Sequence, residues 1–172
     1  MAEVLVAYPG ARRALFRKYH IGGCSSCGFQ PTETLAQLCA RNGNLDVAEV
    51  LAHIHASHAQ DQQLEIAPAE LAARRARGEA LRLLDIRTRE EWDAVRIDGA
   101  EFVDQALVQK LMGSAPRDAL LVFCDHDGSA SLDAAAYFAG HGFTGAKHLR
   151  GGIDAWAREV DPKMPRYRLD NA

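Results

Sequence analysis

From residue 64 onward, short apolar runs alternate with stretches of helical periodicity, and this alternation constrains the fold more than any other feature of the chain. The runs at residues 81–86, 101–103, 120–123 and 147–149 have the length of strands. Helical patterns at 68–77, 89–95, 104–112, 130–141 and 153–159 lie between or after them. Strands joined through helices run in the same direction, so the expected class is α/β, a parallel sheet flanked by helices.

The first third of the chain reads differently, as all-helical. Residues 11–19 form a short helix, with Pro9 suited to a first turn and Gly22-Gly23 as a break. Pro31 and Thr32 supply start signals for a second helix that carries Leu35, Leu38 and Cys39 on one face. Asn42-Gly43-Asn44 stops it. Asp46 can cap a third helix, where Val47, Val50, Leu51 and Ile54 fall at i, i+3, i+4 and i+7. Residues 56–63, Ala-Ser-His-Ala-Gln-Asp-Gln-Gln, have no apolar period and read as a linker. The expected organisation is a small helical domain over 1–57 and an α/β domain over 64–172.

A chain of 172 residues with 48% hydrophobic and 25% charged side chains can bury a core in one domain or two small ones. Its net charge of −3 argues against nucleic acid as a partner, since phosphate binding needs clustered surplus Lys and Arg. No segment approaches the ~20 apolar residues of a membrane span. The opening Met1-Ala-Glu-Val-Leu-Val-Ala-Tyr-Pro9 lacks a charged stretch followed by a long apolar one, so no signal peptide is expected and the expected location is cytoplasmic. Four cysteines in that setting read as reduced thiols, redox-active or metal-binding.

Cys124 ends the apolar run Ala119-Leu-Leu-Val-Phe-Cys124 and opens the polar segment Asp125-His126-Asp127-Gly128-Ser129-Ala130-Ser131 ahead of a helix. Backbone N–H groups at a helix start stabilise negative charge, and a thiol there ionises readily. Free cysteines also commonly fill core, and both readings stand at this point. Asp125 and Asp127 work against a thiolate, because two carboxylates repel anions and raise a neighbouring thiol. One unit charge at 4 Å is worth about 4 kcal/mol at surface-like dielectric, comparable to the helix-terminus and amide contributions combined.

Leu83-Leu-Asp-Ile-Arg87, Glu90-Glu-Trp92, Ile97-Asp-Gly-Ala100, Cys124 and Gly151-Gly-Ile-Asp-Ala-Trp156 together resemble the rhodanese family, over about residues 64 to 160. The resemblance implies a rhodanese-like fold, with Cys124 as the residue that carries a persulfide sulfur and residues 125–131 as its binding loop. Asp85, Arg87 and Trp92 are then architecture, Gly151-Gly152 a tight turn, and Trp156 core. Two departures stand out. The loop lacks the arginine that many members use to bind an anionic donor. The segment from Cys124 to Gly142-Phe143 is also one residue longer than in typical sulfurtransferases of the family. A longer loop suits the phosphatases of this fold, which also depend on the missing arginine.

Cys24-Ser-Ser-Cys27 is a C-x-x-C pair, suited to a redox dithiol or to half of a zinc or iron–sulfur site. With Tyr8-Pro9, Tyr19-His20-Ile21, Gly28 and Thr34-Leu35 it resembles the small redox-disulfide domain associated with hybrid cluster proteins, over about residues 3 to 55. His53, His55 and His58 lie near the end of this part and read as an exposed polar helix end.

The expected function is a sulfur relay. Cys124 accepts a sulfane sulfur from a donor and passes it to a thiol acceptor, with Cys24 and Cys27 suited as an internal acceptor. No tightly bound organic cofactor and no resident metal are implied. The alternative is a catalytically inert rhodanese-like binding or redox-sensing module, which the acidic, arginine-free loop favours and Cys124 opposes.

Overall fold

The computed structural model describes residues 1–22 and 28–167. It divides into two compact units, Met1–Gln63 and Leu64–Ala172.

The first unit contains four helices among the described residues: α1 (Ala2–Ala7), α2 (Ala11–Tyr19), α3 (Leu35–Arg41) and α4 (Val47–Gln63). Leu15, Ile21, Leu38, Cys39, Val50 and Ile54 meet in its core. The helix expected from Pro31 begins later. Thr34 and Gln37 form a reciprocal capping box, which satisfies two orphan N–H groups and fixes the start at Leu35. Asp46 caps α4 as expected, accepting the Glu49 amide at 2.8 Å.

The linker expected at 56–63 is instead helix, because α4 continues to Gln63. Ala and Gln are good helix formers, and nothing in this stretch breaks a helix. Its missing apolar period reflects a polar attachment: Asp61 is buried and pairs with Arg13 of α2.

The second unit is a five-stranded sheet with order β1-β5-β4-β2-β3, every pair parallel. Its strands are β1 (Glu65–Ile66), β2 (Leu81–Asp85), β3 (Glu101–Phe102), β4 (Leu120–Cys124) and β5 (Ala146–Leu149). The helices are α5 (Pro68–Ala76), α6 (Arg89–Ala94), α7 (Gln105–Ser114), α8 (Ser129–Gly140) and α9 (Gly152–Glu159). This is the α/β architecture that the alternation implies. Only β1, two residues long, had no counterpart among the apolar runs.

Side chains alternate across a strand, and the alternation sorts the core into two layers. Leu83, Val122 and Cys124 pack on one face with Leu71 of α5 and Ile153 and Trp156 of α9. Leu84, Leu121 and Phe123 pack on the other face with Leu111 of α7 and Ala135 and Phe138 of α8. This sorting decides where Cys124 points.

Candidate functional site

The carboxyl ends of β2 and β4 lie side by side, with Asp85 in register with Cys124. The chain leaves β4 at Cys124, turns through 125–128 and enters α8 at Ser129. Gly128 makes the turn with φ of 95°, a value that a side chain rarely tolerates. Gly152, at the start of α9, lies against this turn. A Cβ there would come within 2.5 Å of the Asp125 and His126 carbonyl oxygens. Those carbonyls accept the amides of Ile153 (2.9 Å) and Asp154 (3.2 Å), so the loop is stitched to α9.

Two amides at the start of α8 and the Ser131 hydroxyl are taken up by Asp125. Its Oδ1 accepts the Gly128 amide at 2.8 Å and the Ser131 hydroxyl at 2.7 Å, and its Oδ2 accepts the Ala130 amide at 2.8 Å. Asp125 is 6% exposed. Burial pushes its carboxyl above the usual range, while the three donors act the other way. Asp127 points outward, where it caps Ser129 through the amide at 3.0 Å and the hydroxyl at 2.6 Å.

Cys124 lies on the other side of the strand end. It is 0% exposed and packs in the layer with Ile153 and Trp156. Burial drives its thiol well above the ordinary value. The Asp85 and Asp125 carboxylates push the same way, and the Arg87 guanidinium opposes them. A thiol so placed stays protonated, and the thiolate is the reactive species.

The sequence-based picture of a sulfur on Cys124 held by the amides of 125–131 therefore differs from the structure. Gly128, Ala130 and Ser131 converge on one point, and that point holds the Asp125 carboxylate. Two signals in the sequence carried this. Period-2 alternation puts Cys124 with Val122 in the core and sends Asp125 the other way. The segment up to Gly142-Phe143 also loses its extra residue when counted from Asp125 in place of Cys124.

A second network borders the loop. Arg87 makes a buried pair with Asp85, its Nε at 2.9 Å from Oδ1 and its Nη2 at 2.6 Å from Oδ2. Its Nη1 donates to the Tyr167 hydroxyl at 2.7 Å, and that hydroxyl donates to Glu91 at 2.8 Å. The Tyr167 ring lies 4.6 Å from the His126 ring. No local pattern marks Tyr167, which reaches the site only through the path of the tail.

Cys24 and Cys27 lie outside the described residues. Cys39 is buried in the core of the first unit. Among the described residues, the histidines at the end of α4 have local partners: His53 with the Ala14 carbonyl (3.1 Å), His55 with the Tyr8 hydroxyl (3.0 Å), His58 with Gln62 (3.3 Å). No helix is long and apolar enough to cross a membrane among those residues.

The rhodanese-like domain family matches residues 67–159. The chain is 39% identical over 104 residues to the probable adenylyltransferase/sulfurtransferase MoeZ of Mycobacterium tuberculosis, a match that covers 59% of this chain and 26% of that protein. It is 35% identical over 97 residues to the thiosulfate sulfurtransferase GlpE of Pseudomonas aeruginosa, covering 56% of this chain and 86% of that one. The chain thus spans about a quarter of MoeZ and most of GlpE. The rhodanese-like domain of the Alr3790 protein from Anabaena superimposes with a TM-score of 0.50 at 20% identity, over 63% of this chain and 89% of that domain, a likeness of fold.

Proposed function

Because the chain belongs to the rhodanese-like family, we propose that it serves sulfur-relay chemistry as a rhodanese-fold module whose own anion seat is closed. The occupancy of that seat by Asp125 carries this reading. Sulfur transfer needs an accessible thiolate and free donors around the sulfur. Here the Gly128, Ala130 and Ser131 donors are taken by Asp125, and Cys124 is buried on the opposite side. The α/β domain then recognises a partner, and the thiol chemistry falls to Cys24 and Cys27.

In that chemistry one of the paired thiolates attacks the outer sulfur of a donor persulfide, and the donor leaves as a thiolate. The new persulfide is then attacked at its inner sulfur by the second thiolate. Hydrogen sulfide leaves and a disulfide remains, so the sulfane sulfur is reduced and the pair is oxidised.

The second reading keeps persulfide transfer on Cys124, and similarity to proteins named as sulfurtransferases favours it. It requires the loop to open. Mass spectrometry of the full chain after exposure to persulfide donors, before and after cyanide, separates the two. The proposal expects any cyanide-labile adduct of about 32 Da, one sulfur atom, to map to Cys24 or Cys27. Such an adduct on Cys124, lost in Cys124→Ser, establishes the second reading.

A further inference from the structure

We propose that residues 161–167 form a releasable strap, latched by Tyr167, that locks the 125–128 loop closed. This deepens the reading above, on which it rests, by naming what holds the loop shut.

The strap begins where α9 ends, with the Asp161 amide on the Trp156 carbonyl at 3.1 Å and the Met164 amide on the Asp161 carbonyl at 3.0 Å. Met164 packs on the core layer that contains Cys124. Beyond it the strap is held by side chains. Arg166 pairs with Asp154 at 2.7 Å, and Asp154 is the residue whose amide bonds the His126 carbonyl. Tyr167 lays its ring on His126, and its hydroxyl joins Arg87 of the β2 end to Glu91 of α6. One residue thus ties the loop to two other elements.

The closed arrangement carries a cost at His126. His126 Nδ1 is buried without a hydrogen-bond partner among the described residues. Polar atoms buried in this way are uncommon in folded proteins. Lifting Tyr167 takes its ring off His126 and its hydroxyl off the buried Arg87 guanidinium, whereas none of residues 161–167 is itself buried. Segments held by few buried contacts open most readily. With no buried residue of its own, the strap is the part of this network suited to release.

Hydrogen exchange of the full chain tests this at the Ile153 and Asp154 amides, which bond the loop carbonyls. Tyr167→Ala should speed their exchange at least about tenfold, and Tyr167→Phe, which keeps the ring, by a smaller factor. Amides in the centres of β4 and α4 should be unchanged, which shows that the fold persists. The His126 ring resonances should move in Tyr167→Ala, because the neighbouring ring is gone. Exchange at Ile153 and Asp154 within about twofold of wild type in both variants would overturn the strap. This measurement involves no sulfur chemistry, so its failure leaves the closed seat standing. A sulfur adduct on Cys124 would in turn leave the strap standing.

Discussion

Asp125 and Ser131 face each other across the first turn of α8, and the Ser131 hydroxyl donates to the Asp125 carboxylate at 2.7 Å. Both are buried. The chain supplies its own carboxylate to its own helix start. The consequences can be measured one residue at a time.

Cys124→Ser should leave sulfur transfer by the full chain unchanged and lower stability by about 1–3 kcal/mol, the cost of burying a hydroxyl without a ready partner. Urea unfolding and an assay of sulfide release from a persulfide donor check both halves. Activity abolished in a folded variant would return the chemistry to Cys124.

Asp125→Ala should leave the Gly128 and Ala130 amides and the Ser131 hydroxyl unpaired, at a cost of roughly 1–3 kcal/mol for each donor that stays out of water. The vacated seat should then accept a small free anion. Melting temperature measured against added sulfate or thiosulfate should rise more steeply in the variant than in wild type. Parallel curves would mean that the donors do not form a seat.

Asp125→Cys, made together with Cys124→Ser, should put a thiol where the amides converge. Its pKa is expected below the ~8.5 of a free cysteine, because helix-start amides favour the thiolate. Cys124 in wild type should titrate well above that value, since burial raises it. Alkylation rates against pH, resolved by peptide, compare the two directly.

Asp125 also sets part of the acid behaviour. Its carboxyl is raised in the fold, chiefly by burial, so the folded state holds the proton more tightly than the unfolded chain. This contribution is greatest at low pH and falls as pH rises from the ordinary carboxylate value through the raised one. Asp154 and Glu101 lie in the opposite direction, lowered chiefly by hydrogen bonds from Arg166 and Arg82, so their contributions fade as pH drops through their folded values. Relative to wild type, Asp125→Ala should therefore gain stability as pH rises across the upper window. Chemical denaturation at a series of pH values reads the difference.

Cys24 and Cys27 should cycle between dithiol and disulfide. Titration across a glutathione gradient is expected to show a two-electron transition that disappears in Cys24→Ser and in Cys27→Ser. Stoichiometric zinc or iron in protein purified without chelators, with both thiols protected, would make the pair a metal site.

Much of the fold was legible because it rests on local periodicity. The runs at 81–86 and 120–123 became β2 and β4, and the helical patterns between them became the covering layers. Where polar contacts replaced apolar ones, the reading failed. Residues 56–63 read as a linker because Asp61 is held by Arg13, 48 positions away, and no period records such a pair.

The sequence by itself determined the parallel α/β sheet and the loop at the end of β4, because strand alternation and helix starts depend on neighbours along the chain. It also contained the direction of Cys124, through the same alternation that buries Val122. Only the tertiary structure decided what fills the start of α8. Gly128, Ala130 and Ser131 become a seat when the turn brings their donors to one point, and Gly152 lets α9 approach the Asp125 and His126 carbonyls. Tyr167 joined the site in the same way, from 80 residues beyond Arg87, because a folded tail can bring together groups that no local pattern connects.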